Sequence, residues 1–331
     1  MRGMKVPAAI LFLLVYFSNL EGGVVANGRL VRRQSGLQWA HVKGVGQSDG
    51  RRIVGGIEAT GSYMWVTLIT KLGGSSITCT GELITDRWMV TAAHCMLNTA
   101  NNGYRVAAKG NTQIVYGCLA WNDPSCKTVG AKRFVAHPCY TPSYDQDHDD
   151  IALIELDAPV VGMEGKFALV DGLNGTVDMP EDAELILAGF GAQRPDGSDG
   201  RAPKLMEVKV KGASKQTCID ANPYSFSKQY INFDHIICTG GPAGKDSCNG
   251  DSGGPAIALK DGQPWLVGIL SKGSQNPEST NNCAASGRLG MYTRIQMYGK
   301  WILGNLRGDA RVNTCSACPD ISIRIDAYAL C

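Results

Sequence analysis

Gly250-Asp251-Ser252-Gly253-Gly254-Pro255 sets a single hydroxyl among glycines, with Cys248 and Asp246 just upstream. Flanking glycines are poor choices for a strand or helix interior. They suit a tight turn whose backbone N–H groups converge on one point, which makes Ser252 a candidate nucleophile. Taken alone, such a cluster reads first as a surface turn. Two distant segments change the balance. Thr91-Ala92-Ala93-His94-Cys95 follows the apolar run Trp88-Met89-Val90 with an imidazole, and Asp149-Asp150 opens the apolar run Ile151-Ala152-Leu153-Ile154 with a carboxylate. A hydroxyl, an imidazole and a carboxylate are the parts of acyl transfer: a nucleophile, its general base, and a group that orients the base.

The chain order His, Asp, Ser and four motifs carry the sequence further. Thr-Ala-Ala-His-Cys, Asp-Ile-Ala-Leu, Gly-Asp-Ser-Gly-Gly-Pro and an Arg-Ile-Val-Gly-Gly start at Arg52 together resemble the chymotrypsin/trypsin family of serine endopeptidases, over about residues 53 to 307. The resemblance implies an all-β fold of two packed six-stranded antiparallel β-barrels with a C-terminal α-helix. It implies that Ser252 attacks the scissile carbonyl, that His94 takes its proton and returns it to the leaving amine, and that Asp150 holds the imidazole tautomer. Asp149 is the rival acid, read as solvated loop charge because the family places the catalytic one directly before the Ile-Ala-Leu strand. The Gly250 and Ser252 N–H groups are the implied oxyanion hole, Gly250 staying small to keep it uncrowded. Ser271 is implied to hydrogen-bond the buried acid.

Specificity and activation follow from the same resemblance. Asp246 matches the base of the primary specificity pocket, where a carboxylate pairs with Arg or Lys of a polypeptide substrate. Ser247 adds a hydroxyl beside it, and Gly273 and Gly290 match the walls, leaving room for a long basic chain. Asp147 falls where the family lines the next subsite and favours a basic residue there. Cleavage after Arg52 would free the Ile53 ammonium to pair with Asp251 and order the pocket, and Arg51-Arg52 matches the enzyme's own implied preference.

Three departures qualify the pattern. Lys272 follows Ser271 where the family usually has Trp, removing an aromatic wall of the extended site. Thr80-Gly81-Glu82 replaces the usual Gly-Gly-Ser near the leaving-group side. The loop from Gly110 to Lys127 holds one carboxylate, Asp123, too few for a calcium cage, so no metal and no cofactor is expected.

The elements that must position these residues are short strands. Trp65 to Ile69, Trp88 to Thr91, Gln113 to Tyr116, Phe134 to Ala136 and Ile151 to Leu156 are apolar or alternating and are separated by Gly/Asn/Pro/Asp-rich turns. They read as a first barrel. Leu185 to Ala188, Leu205 to Val210, Pro255 to Ala258, Trp265 to Leu270 and Met291 to Ile295 read as a second. The clear helix is about Ile295 to Leu306, with Met297, Trp301, Ile302 and Leu306 as its apolar stripe.

Composition bounds the class. Arg2 and Lys5 precede an apolar run from Val6 to Phe17 too short to span a membrane, so residues 1–26 read as a secretory signal peptide and the protein as secreted. Residues 27–52 form a basic activation segment, 53–307 the protease domain and 308–331 a cysteine-bearing tail. Residues 1–52 carry eight Lys/Arg against Glu21 and Asp49, and removing that +6 from the chain's +2 leaves −4, which offers no footprint for nucleic acid. Substrates and protein inhibitors are the partners expected of a monomer.

Twelve cysteines, none before Cys79, imply an oxidising compartment and six disulfides. Resemblance pairs Cys79 with Cys95, Cys218 with Cys238, and Cys248 with Cys283; spacing alone leaves fifteen connectivities for the other six. A local Cys118–Cys126 loop and a link from Cys139 to Cys315, Cys318 or Cys331 are expected. Asn174-Gly175-Thr176 is a glycosylation sequon. The alternative from another class is a non-catalytic protease homologue that binds a partner; His94, Asp150 and Ser252 are all present, and Lys272 is the feature that leans toward it.

Overall fold

The computed structural model describes residues 53–313 apart from 62, 72–76, 101–102, 107–110, 141–148, 197–200, 223–231, 241–243 and 275–282. The segments 1–26 and 27–52, with Arg52, and also Asp147 and the tail cysteines lie outside the described residues.

The first half is built from β1 (Ile57–Glu58), β2 (Val66–Lys71), β3 (Ile77–Leu83), β4 (Trp88–Thr91), β5 (Leu97–Ala100), β6 (Gly103–Val106), β7 (Thr112–Tyr116), β8 (Lys127–Ala136) and β9 (Ala152–Leu156). Six of these close into an antiparallel barrel in the order β2-β3-β4-β9-β8-β7, while β5 and β6 pair only with each other. The β-branched run of β2 suits a pleated, packed surface, and it is buried at every residue before Lys71. Polar β8 extends far beyond the expected Phe134 to Ala136. Its outward Lys132 and Arg133 are held by Glu155 on β9 at 2.6 and 3.0 Å, and Arg133 lies over the Trp88 ring.

The second half contributes β10 (Leu169–Val170), β11 (Glu184–Gly189), β12 (Met206–Ala213), β13 (Ile236–Gly240), β14 (Pro255–Lys260), β15 (Gln263–Gly273) and β16 (Gly290–Arg294). Because β12 pairs with both β11 and β13, this sheet also closes, in the order β11-β12-β13-β16-β15-β14. Asp261-Gly262 joins β14 to β15 with φ of 53° and 75°, the pair of left-handed residues that a two-residue hairpin turn requires. The all-β, two-barrel expectation holds.

Two cross-connections tie the barrels together. β1 precedes the first barrel in sequence yet pairs with β12 of the second. The helix Gly299–Leu306 follows the second barrel, but its Trp301 and Ile302 pack into the core cluster that holds Leu68, Leu83, Met89 and Leu153 of the first. A 3₁₀ turn, Ile295–Tyr298, leads into that helix, and Met297 is 48 % exposed, so it falls outside the apolar stripe. The tighter three-residue turn rotates the phase of the stripe, which runs instead through Ile295, Tyr298, Trp301 and Ile302.

Candidate active site

His94 sits in a 3₁₀ turn, Ala93–Met96, at the end of β4, and Asp150 lies two residues before β9, the strand hydrogen-bonded to β4. The pairing of Thr91 with Ala152 brings the two functional residues to the same edge of the barrel. Asp150 is 1 % exposed, and its Oδ2 accepts from His94 Nδ1 at 2.7 Å and from Ser271 Oγ at 2.6 Å. Its Oδ1 accepts the His94 backbone N–H at 2.9 Å. Burial pushes this carboxyl upward, but the His94 charge and the bonds from His94 and Ser271 outweigh it and hold it below the ordinary range. An ionised carboxylate fixing Nδ1 leaves Nε2 as the ring nitrogen that exchanges a proton.

Ser252 comes from the other barrel, in the turn that enters β14. Its carbonyl accepts the Thr80 N–H at 2.8 Å and lies 3.6 Å from Cys95 Sγ, which is itself 3.7 Å from His94 Nε2. The serine turn thus lies against the same disulfide sulfur as the imidazole. Gly250, with φ of 97°, adopts a backbone conformation that a side chain would strain. A Cβ there would come within 3.2 Å of Arg201 Nε and 3.3 Å of the Gly191 Cα, so crowding would arise from these neighbours.

Thr80, noted in the sequence only as a departure near the leaving-group side, has a positioning role that sequence reasoning missed. Besides its backbone bond to Ser252, its Oγ1 donates to the Gly250 carbonyl at 3.1 Å, and its own carbonyl accepts from Thr91 Oγ1 at 2.7 Å. One residue of β3 therefore holds both ends of the serine turn and the strand leading to His94. Its neighbour Glu82 was expected near the leaving-group side, but it is wholly buried on β3, between Val66 and Val90 in the ladder, and has no surface to offer a substrate.

Asp149 is likewise not solvated loop charge. It accepts from Tyr298 Oη at 2.6 Å and stands 3.6 Å from His235 Nδ1, with φ of 52°. Burial raises its carboxyl, and these two partners more than reverse the shift. His137 stacks edge-on against Tyr298 and Trp301, and burial drives its pKa to about 4, so it is a neutral packing group. These partners come from segments remote in sequence, which is why no local signal announced them.

Asp246 is 6 % exposed and accepts the Ser247 N–H at 2.8 Å and the Ala284 N–H at 3.2 Å. Burial lifts its pKa to about 6 against the pull of those bonds and of Arg288. A Cβ on Gly290 would lie 2.7 Å from Thr239 Oγ1 and 3.4 Å from Asp246 Oδ1, so that glycine borders the carboxylate. Gly273 departs from expectation: the space that its missing side chain leaves is taken by the guanidinium of Arg288. Lys272 stands at an irregularity in the β15–β16 ladder, opposite Met291.

Ile53 is fully buried, Val54 packs with Cys248, and the Val54 carbonyl accepts the Asp246 N–H at 3.2 Å. Asp251, 2 % exposed, accepts from the Gly191 and Cys248 N–H groups at 2.7 and 2.9 Å. Burial still lifts it to about 7, helped by the nearby Asp246 charge.

Disulfides join Cys79 to Cys95, Cys118 to Cys126, Cys218 to Cys238 and Cys248 to Cys283. Cys139 is disulfide-bonded as well, to a partner outside the described residues. Two groupings among the described residues, Cys79/His94/Cys95 and His137/Cys139/Asp149, have the residue types of metal ligands, but their sulfurs are committed to disulfides and offer no thiolate. Asn174 is exposed, with Oδ1 accepting the Val170 N–H at 2.8 Å. No helix among the described residues is long and apolar enough to cross a membrane.

Comparison with known proteins agrees with this geometry. The family model described as Trypsin matches residues 53–302. Phenoloxidase-activating factor 3 of Holotrichia diomphalia is 31 % identical over 276 residues, covering 79 % of this chain and 74 % of that protein. Coagulation factor IX of Cavia porcellus is 28 % identical, covering 76 % of this chain and 80 % of its own length. Among solved structures, neuropsin, a serine protease expressed in the limbic system of mouse brain, superposes with a TM-score of 0.60 at 26 % identity, covering 76 % of this chain and 98 % of that one. With the family match spanning both barrels and the segments that bear His94, Asp150 and Ser252, the chain belongs to the trypsin family of serine proteases.

Proposed function

We propose that this chain is a secreted serine endopeptidase, made as a zymogen, that cleaves polypeptides after Arg or Lys through an acyl-enzyme. The observation that carries the reading is the buried Asp150 carboxylate on His94 Nδ1 at 2.7 Å, in a chain whose Ser252 turn is hydrogen-bonded to the same barrel. Ser252 Oγ attacks the carbonyl carbon as His94 takes its proton. The oxyanion is met by the Gly250 and Ser252 N–H groups, and the C–N bond breaks as His94 protonates the amine. Water then repeats the sequence to free the acid and restore Ser252. The buried carboxylate of Asp246 supports a basic residue before the cut. Ile53, fully buried, and Val54, packed with Cys248 and bonded to the Asp246 N–H, support activation by hydrolysis after Arg52, with the new Ile53 ammonium pairing with Asp251.

The test is hydrolysis of Arg-, Lys-, Phe- and Ala-terminated chromogenic peptides by the chain with an Ile53 N-terminus, with and without Ser252→Ala. Leaving Asp246 unpaired costs several kcal/mol, so Arg and Lys substrates should exceed Phe by more than about a hundredfold in kcat/KM. Comparable cutting of Phe removes the assignment of Asp246. Activity that survives Ser252→Ala removes that of the nucleophile, and no turnover of any peptide points instead to a non-catalytic homologue.

A further inference from the structure

Gly273 and Gly290 are cross-strand partners on β15 and β16, so their missing side chains face one slot from two adjacent strands. A Cβ on Gly290 would approach Asp246 Oδ1. A Cβ on Gly273 would lie 2.7 Å from Arg288 Nε, 2.8 Å from Nη2 and 3.2 Å from Cζ. The slot thus has a carboxylate at one side and the chain's own guanidinium at the other. We infer that Arg288 is a specificity-determining residue, which occupies the approach to Asp246 and competes there with the basic side chain of the substrate. The inference rests on the reading of Asp246 as the base of the specificity pocket.

The backbone keeps Arg288 where it is. Ser274, next to Gly273 and 1 % exposed, donates its N–H to the Leu289 carbonyl at 2.7 Å, and its Oγ accepts the Leu289 N–H at 2.8 Å. The Arg288 N–H closes a turn onto the Ala285 carbonyl at 3.1 Å. These bonds fix the backbone of Arg288 two residues before Gly290, the cross-strand partner of Gly273, so a substrate gains entry by turning a side chain rather than by moving a loop. Electrostatics agrees, because the Arg288 charge pulls the Asp246 carboxyl down against the dominant effect of burial. A guanidinium already near the carboxylate supplies part of what an incoming Arg or Lys would supply, and it must be displaced first.

The consequence is a binding penalty separate from chemistry. If the pocket is open about one-tenth of the time, every ligand that enters it binds about tenfold more weakly than its intrinsic affinity. The experiment measures benzamidine binding by calorimetry to the chain with an Ile53 N-terminus and Ser252→Ala, carrying Arg288, Arg288→Ala or Arg288→Lys. Arg288→Ala should tighten the dissociation constant about tenfold, and Arg288→Lys, which keeps the charge but not the planar group, should tighten it less. In the enzyme with Ser252 intact, Arg288→Ala should lower KM for an Arg peptide by the same factor and leave kcat unchanged. Benzamidine that binds the Arg288 protein but is bound no more tightly after Arg288→Ala overturns the inference alone. Benzamidine bound by none of the three overturns the Asp246 reading, and the inference with it. Equal tightening by Ala and Lys leaves the occupancy in place and assigns it to the guanidinium's shape.

Discussion

Glu82 is a fully buried carboxylic acid whose two oxygens have no hydrogen-bond partner among the described residues. Burial holds its pKa well above the ordinary carboxylate value, so the folded chain carries it neutral. The sign of its effect on stability follows from proton binding. Once pH passes the ordinary value of 4.5, the unfolded chain releases this proton while the folded chain keeps it, and stability falls with rising pH by about 1.4 kcal/mol per unit until the folded group ionises too. Glu82→Gln should remove that slope, and the difference in unfolding free energy between variant and parent should grow in favour of the variant from pH 5 to 8. Parallel curves in denaturant titrations across that range would exclude the effect. At this scale the sequence was legible where a reactive group stands in a telling local setting, as Ser252 does among glycines, His94 after an apolar run and Asp150 before one. Thr80, Glu82 and Arg288 escaped because their roles depend on neighbours brought close only by the closed sheets. Asp149 was misread for the same reason, since Tyr298 is its partner across most of the domain.

β3 connects the two functional segments. Through Thr80 it bonds to the carbonyls of Gly250 and Ser252 and receives the Thr91 hydroxyl, so the serine turn and the strand before His94 share one support. The side-chain bond is a neutral one, worth about 1 kcal/mol net. Thr80→Val, which keeps the shape and loses the hydroxyl, should therefore lower kcat about fivefold with KM little changed, and Thr80→Ser should recover most of it. Equal kcat values for Thr80→Val and the parent, at concentrations fixed by active-site titration, would rule out the positioning role. β3 was not read as a strand although Ile77, Cys79 and Leu83 alternate with Thr78, Thr80 and Glu82, because Gly81 interrupts the pattern. β13, five residues with a cysteine and a terminal glycine, is weak for a similar reason. β4, by contrast, matches its expected bounds, because Trp-Met-Val-Thr is buried at every position and is followed at once by the helical turn of His94.

The whole domain is held by segments that cross from one barrel to the other. The helix Gly299–Leu306 ends at its cap Arg307, and a separate 3₁₀ turn, Ala310–Asn313, then folds back on it. Asn313 Oδ1 accepts from Trp301 Nε1 at 3.0 Å, and Asn313 Nδ2 donates to Asn305 Oδ1 at 2.8 Å. The start of the expected tail is therefore part of the packed unit. Cys139, 7 % exposed and two residues from His137, lies in the segment that meets Trp301. Mass spectrometry of unreduced peptides should find Cys139 joined to Cys315, Cys318 or Cys331, and a free Cys139 thiol would exclude that link. Closing so long a loop adds about 3 to 5 kcal/mol in the chain-entropy account.

The crossing segments also separate the order of synthesis from the order of completion. As the chain leaves the ribosome, the strands of the first barrel emerge first, but Trp301 and Ile302, which enter its core, are made only after every strand of the second. β1 emerges before either barrel and waits for β12 to receive it. Neither barrel is finished while the other is missing, so a nascent or truncated chain that stops before Gly299 has every strand of the described residues yet leaves the first barrel, which bears His94 and Asp150, uncovered. Completion of the fold and assembly of the site are in this molecule a single late event.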